Sequence, residues 1–386
     1  MILRFGFRNF LSFEEGVECS FESDSANDVN TLLNIKGANG AGKTNLLKAL
    51  AFFMDFVANS FSLKPEAPTG VIPFYDSSKE TYFFVEFKTA GSCSNYTFLY
   101  ELSLTKDRVV SEKISRTNKR IIEVISRQGN NIKTTSEFKE LDKIKLRKNA
   151  SLISCAHQNE ISALNDIYMI FSKVITNTTI SYSSMSIYLD CAENYGKDLL
   201  SIISKLYYKD EFLFSRVKKF ILESDIGICD IKINKEQSIS GKDIFVPVFY
   251  HEYNGKVFSL SYGEESRGTQ FLYSNLHYFL QVCSSSHTLL IFDELDMSLH
   301  PFLVKKLLGL FNHKYASDNV CGQMIFTAHD TSIMDELKAD KSFFLNKKDN
   351  ESFGYRADEC PSSLVRKNRS LRTPYEQGRI GGVPKI

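Results

Sequence analysis

The stretch "NIKGANGAGKTNLLKAL", residues 34 to 50, constrains the fold more than any other part of the chain. An apolar run (Leu32, Leu33, Ile35) enters a glycine-rich turn, and Leu46, Leu47 and Leu50 after it fall on a helical pattern. The turn fits G-x-x-x-x-G-K-[ST], opened by Gly37 and closed by Gly42, Lys43 and Thr44. Glycine tolerates the positive φ angles that turn successive backbone N–H groups inward, and the helix that follows adds the positive end of its dipole. A phosphate cradle is therefore expected from Gly37, Asn39, Gly40, Gly42, Lys43, Thr44 and Asn45. Lys43 would reach the β and γ phosphates of a purine nucleoside triphosphate, and the Thr44 hydroxyl would ligate Mg²⁺.

At 386 residues the chain can bury a large core in two or three lobes. Its 47 basic and 46 acidic residues leave a net charge of +1, so no global field advertises a nucleic-acid or membrane partner. The 8 cysteines form no C-x-x-C pair and read as buried thiols. The opening "MILRFGFRNF" reads as a strand rather than a signal peptide, and no apolar run has the length of a membrane span, so a soluble cytoplasmic protein is expected.

Two alternating runs at residues 1 to 22 predict a hairpin before the phosphate turn, and the helix from Lys43 is expected to run to about Phe61. "TYFFVEFKT", "YTFLYELSLT" and "RVVSEKISR" predict three strands after it, which suggests a mixed sheet with an antiparallel flank. The change of composition divides the chain into 1–110, which holds the phosphate turn, a Lys-, Ser- and Asn-rich stretch with helical periodicity at 111–235, 236–345, which leads back to the site, and a tail at 346–386. Within 111–235, "DLLSIISKLYY" and "FLFSRVKKFILES" carry helical periodicity, and "KIKLRK" at 143 to 148 reads as a solvated basic face or a contact for an acidic partner or a nucleic-acid backbone. "IFVPVFYHEY" and "KVFSLSY" predict strands that lead back to the site.

In "HTLLIFDELDMSLHP" an apolar run delivers Asp293 and Glu294 to what should be the C-terminal edge of a buried strand. Asp293 would hold Mg²⁺ through water, and Glu294 would orient and deprotonate the water that attacks the γ phosphate. "GQMIFTAHD" repeats the pattern and ends in Thr327 and His329, whose imidazole could hydrogen-bond the γ phosphate. Between them, "LSYGEESRGTQ" carries two S-x-G units, Ser261 with Gly263 and Ser266 with Gly268, ahead of a helical run. A serine and a glycine at a helix start make a second phosphate grip.

Phosphate turn, S-x-G helix start, apolar-Asp-Glu strand, "LD" and strand-end His, in that order, resemble the nucleotide-binding unit of ABC transporters and of the SMC, RecF and OLD-type ATPases. The resemblance implies an α/β fold, a P-loop NTPase head of ABC/SMC type with a mixed β-sheet and an inserted mainly helical lobe. It implies two ATP molecules with Mg²⁺ sandwiched between two heads, so that the chain forms a homodimer or larger homo-oligomer. It also makes Asp296 a D-loop residue at the dimer interface and favours Ser266 over Ser261, because "ESRGT" is similar to a form found in bacterial abortive-infection ATPases. The opening "FGFRNFLSFEE" and the ending "TPYEQGRIGGVPKI" resemble the two ends of that branch. Lys43 and Asp293 stand 250 positions apart, further than in a transporter head, which argues for an inserted lobe. The glutamine loop has no clear match; Gln158 is its candidate.

The leading expectation is an ATP-hydrolysing dimeric head that senses or regulates in anti-phage defence. With 57 residues after His329, a nuclease or other toxic effector is expected on a separate chain. A RecF-like DNA-repair ATPase, drawing on residues 143 to 148 and on Arg366, Lys367, Arg369 and Arg372, is the alternative, and an ATP-locked scaffold is the third reading. The tail residues Tyr375 and Arg379 either pack structurally or meet a partner.

Overall fold

The structure is a computed structural model that describes the chain apart from residues 24–27, 90–94, 179–186, 189–195, 225–226, 239–240, 312–320, 362–363, 366–369 and 384–386. Strands β1 (Ile2–Arg8), β2 (Val17–Ser20) and β3 (Leu32–Gly37) precede helix α1 (Lys43–Asn59). Next come β4 (Thr81–Lys88), β5 (Thr97–Leu104), β6 (Val109–Thr117), β7 (Ile121–Gln128) and β8 (Asn131–Thr134). Helices α2 (Leu152–Gln158) and α3 (Asn165–Ser172) lead to β9 (Val174–Thr176) and β10 (Ile187–Tyr188). Then follow α4 (Gly196–Lys209), α5 (Glu211–Leu222), β11 (Ile228–Gln237), β12 (Asp243–Tyr253), β13 (Lys256–Ser261) and α6 (Arg267–Val282). The chain ends with β14 (Leu289–Phe292), α7 (Pro301–Gly309), β15 (Gln323–Thr327), β16 (Ser342–Lys348), β17 (Glu351–Arg356) and α8 (Arg372–Glu376).

These elements divide into two compact units. The first comprises Met1–Tyr188, Val282–Glu294 and Phe311–Ile386, and the second Leu189–Gln281 with Leu295–Leu310. The first unit holds two seven-stranded sheets. One is an antiparallel sheet in the order β2-β1-β4-β5-β6-β7-β8. The other, β10-β9-β14-β15-β3-β16-β17, is parallel except for the edge pair β16 and β17.

The burial patterns follow from these places. Alternate residues of β4 and β5 point inward, among them Phe83, Val85, Phe87, Phe98, Tyr100 and Leu102, as in a sheet with one face on the core. In contrast β14 and β15 are buried at every position, as central parallel strands must be. Helix α1 joins the core that both sheets share, which explains why it is apolar nearly all round. Its Phe52 and Phe53 pack against Phe83, the latter stacked with ring centroids 5.1 Å apart, and Phe53 meets Phe171 edge-on at 5.9 Å. The many phenylalanines of the sequence thus fill the layer between the antiparallel sheet and α1.

The second unit carries α4, α5, α6 and α7 with an antiparallel sheet ordered β11-β12-β13. Tyr207 of α4 is fully buried and donates to the Tyr273 carbonyl at 2.7 Å, and Ser204 bonds the Tyr273 hydroxyl at 2.9 Å.

The expected boundary at 110 falls inside β6, and the lobe expected at 111–235 divides differently. Residues 109–134 continue the antiparallel sheet, while α2 and α3 pack into the core of α1. The second unit takes up at Leu189 and runs past 235 to include β12, β13, the S-x-G helix and α7. The lysines and serines that suggested a separate lobe from 111 belong to one-sided strands whose other face is core.

In the tail, Tyr375 is buried, stacks on Phe344 at 5.6 Å and donates to the Gly382 carbonyl at 2.9 Å. It packs structurally, and the Tyr355 hydroxyl holds Ile380 O at 2.7 Å beside it. Arg147 of the basic run donates to Phe61 O at 2.6 Å and to Leu63 O, and Lys148 pairs with Glu66 at 2.6 Å. That run is therefore partly structural rather than a solvated face. Among the described residues, no helix is long and apolar enough to cross a membrane.

Candidate functional site

Parallel pairing of β3 with β15, and of β15 with β14, brings the ends of three strands to one edge of the sheet. The phosphate turn leaves β3 there, His329 follows β15 and Asp293 follows β14. Gly42, the residue before α1, has φ 104°, and a Cβ on it would stand 2.5 Å from Ser352 Oγ. The position excludes every other residue on both counts. Gly37 is needed for a different reason: its Cβ would meet Leu345 O at 2.7 Å on the neighbouring β16. Asn39 and Gly40 are exposed at the tip of the turn, and Asn45 donates to Ser12 Oγ at 2.9 Å, so the "NFLSF" opening reaches the turn.

Lys43 Nζ folds back onto the turn and donates to the carbonyls of Gly37 at 2.8 Å and Ala38 at 3.1 Å. Burial pushes the pKa of this ammonium below its usual value, against the opposing pull of Asp293 and Glu294.

The Asp293 carboxylate is held at both oxygens. Thr44 Oγ1 donates to Oδ2 at 2.6 Å and Thr327 Oγ1 to Oδ1 at 2.5 Å. Thr327 Oγ1 in turn accepts from the Glu294 backbone N–H at 2.7 Å. Glu294 itself has φ 54°, a left-handed conformation that costs a non-glycine residue about 1 kcal/mol or more and gathers at functional sites. His329 Nε2 lies 3.5 Å from Glu294 Oε1, and both side chains are about half exposed, at 52% and 46%.

A hydroxyl and a carboxylate oxygen converging at 2.6 Å are hard donors of the kind Mg²⁺ selects, so Thr44 and Asp293 fit that ion. A cavity of about 410 Å³ opens beside the turn, lined by Leu11, Ser12, Asn45, Ile72, Tyr75 and Asp76 among others.

Asn177 belongs to no motif of the sequence. Its side chain accepts from Asp293 N at 2.7 Å and donates to Asp293 O at 2.8 Å, extending the pairing of β9 with β14 by one residue. Gln158, the expected amide of the glutamine loop, instead ends α2 exposed to solvent. The strand before Asn177 is only Val174–Thr176, too short for periodicity to reveal; its apolar-to-polar step "VITN" is the one signal available.

Ser266, Gly268 and Asp296 belong to the second unit. Ser266 stands at the start of α6 and its Oγ accepts from Thr269 N at 3.2 Å. Ser261 precedes only a short 3-10 turn, where Glu264 takes up both its N–H and its hydroxyl at 2.8 Å. A Cβ on Gly268 would lie 3.2 Å from Ser298 O, so a glycine there lets the helix start approach the segment that carries Asp296. Of the basic residues expected to meet nucleic acid, Arg366, Lys367 and Arg369 lie outside the described residues. Arg372 pairs with Glu376 at 2.8 Å and with Asp335 at 3.6 Å.

Residues 33–335 match the model of a protein family described as "AAA domain, putative AbiEii toxin, Type IV TA system". No curated protein matches the sequence. Among solved structures, an SMC head bound to the C-winged helix domain of ScpA is similar with a TM-score of 0.49 and 14% identity, over 93% of this chain and 99% of that one. The SMC head domain from Thermotoga maritima gives 0.44 and 13%, over 92% and 98%. The recombination mediator protein RecF with ATPrS gives 0.37 and 13%, also over 92% and 98%.

Proposed function

The chain belongs to this family of AAA domains, and we propose that it is an α/β P-loop NTPase head of ABC/SMC type that binds ATP with Mg²⁺ and hydrolyses it. The observation that carries the reading is the hydrogen-bonded set Thr44, Asp293, Thr327 and Glu294, which joins the phosphate turn to two other strand ends. Lys43 would trade its two carbonyl partners for β and γ phosphate oxygens, keeping its ammonium paired throughout. Thr44 and Asp293 would hold the Mg²⁺, which neutralises charge on the transferred phosphoryl group. Glu294 takes the proton of the attacking water, and His329 beside it hydrogen-bonds the γ phosphate. The cavity by Leu11 and Ile72 is where the base would lie, with Tyr75 as an aromatic wall.

In this reading Ser266, Gly268 and Asp296 of the second unit complete the site of a second copy across an ATP-bound homodimer. The family description speaks of a toxin and a toxin–antitoxin system, and that supports the role proposed here: a cytoplasmic sensor or regulator in anti-phage defence, acting on a separate effector.

Native mass spectrometry of wild type and Glu294→Gln, with and without Mg·ATP and alongside phosphate release, tests this. The expected outcome is an ATP-dependent dimer trapped by Glu294→Gln, with phosphate release reduced at least about a hundredfold. Identical assembly of both proteins without nucleotide, together with no turnover by wild type, would refute it.

A further inference from the structure

Lys36 is 2% exposed and sits one residue before the phosphate turn. Its neighbours on β3, Leu33 and Ile35, enter the core shared with α1, so alternation along the strand puts Lys36 on the opposite face. An ammonium buried in a central strand is costly unless its donors are met. Here Nζ donates to Ala328 O at 2.5 Å and to Asp330 O at 2.7 Å, the two carbonyls that flank His329 in the chain.

The segment after His329 is fastened as well. The Asp330 carboxylate accepts from Ser332 N at 2.8 Å and Ser332 Oγ at 2.6 Å, and Thr331 Oγ1 donates to Glu376 at 2.6 Å. Backbone on both sides of His329 is thus held while its imidazole stays half exposed beside Glu294. In the other direction, Lys36 is bonded to Gly37, whose carbonyl accepts from Lys43.

We propose that Lys36 is a positioning residue: it clamps the two carbonyls around His329, sets the imidazole against Glu294, and ties that pose to the strand end on which Lys43 rests. The effect on turnover rests on the ATPase reading above, whereas the clamp is a matter of geometry alone. A hydrophobic side chain would serve the packing of β3 equally well; it would not hold two carbonyls.

The test combines amide hydrogen exchange and steady-state phosphate release on the full chain for Lys36→Met, His329→Ala and the double variant. In Lys36→Met, amides of residues 329–332 should exchange about tenfold faster or more, while α1 and β14 keep wild-type protection. Phosphate release should fall about tenfold with KM for ATP within about threefold, and the double variant should be no slower than His329→Ala alone. Unchanged exchange at 329–332, or losses that multiply in the double variant, would overturn the proposal. If wild type shows no turnover, the ATPase reading fails and the exchange comparison still decides the clamp. Should Lys36→Met not fold, Lys36→Gln, which keeps an amide donor on a shorter stem, is read in the same way.

Discussion

At the scale of single residues, side-chain chemistry made Lys43, Thr44, Asp293 and Glu294 legible, because a phosphate and Mg²⁺ can be met by few residue types at few spacings. Asn177 was not legible. Its importance comes from lying next to Asp293 across a parallel strand pair, 116 positions away in the chain. Its two hydrogen bonds hold the peptide on either side of Asp293 Cα. We expect Asn177→Ala to cost about 1–3 kcal/mol of stability, read from the urea midpoint, and to slow phosphate release by about tenfold or more. The left-handed Glu294 is likewise invisible to sequence, since nothing about a glutamate announces φ 54°.

At the scale of elements, strong periodicity identified α1, strands β1, β2, β4, β5 and β6 of the antiparallel sheet and the helices α4 and α5, because their neighbours reward the same pattern that propensity favours. Polar contacts between elements were hidden. Arg127 of β7 and Glu112 of β6 form an ion pair of 2.5 Å with side chains 0% and 1% exposed. Glu112 also accepts from Tyr100 Oη at 2.5 Å and from Leu152 N at 2.9 Å, and Arg127 donates to the carbonyls of Gly129, Arg147 and Ala150. Burial, reinforced by Glu112, pushes the Tyr100 phenol well up, so it stays a donor. Arg127→Met would leave a buried carboxylate without its cation, and we expect a loss of about 3–5 kcal/mol in denaturant unfolding. In sequence these two residues look like ordinary members of solvent-facing alternation.

At the scale of the molecule, the division into units was the part least accessible to local pattern. Residues 109–172 pack with the first unit because strands β6 to β8 extend a sheet begun at β1, and sheet membership is decided by distant partners. The second unit carries its own test. His277 of α6 is buried, and burial alone lowers its pKa to about 4. The Tyr207 hydroxyl gives its proton to Tyr273 O at 2.7 Å, so the neutral ring donates from Nδ1 to Tyr207 at 3.2 Å. Above about pH 6.5 the folded and unfolded chains are both neutral at this site. As pH falls from there to about 4, the unfolded chain takes up a proton that the folded one refuses, and stability is lost. The loss should be roughly 2 kcal/mol between pH 7 and pH 5. Hydrogen exchange should locate it in α4, α6 and β12, and His277→Gln should lessen this slope.

The phosphate turn, the carboxylate strand and the strand-end histidine are legible in the residues alone. Each is a local string whose chemistry depends on its own residues and their order. Long-range pairing, by contrast, makes Thr44, Asp293, Thr327 and Glu294 one hydrogen-bonded set, brings Asn177 rather than Gln158 to it, and lets Lys36 grip the backbone around His329. Those contacts join strand ends that are neighbours through parallel pairing of segments far apart in the chain. The register of such pairing is set by the burial of the whole sheet, and no window of sequence contains it.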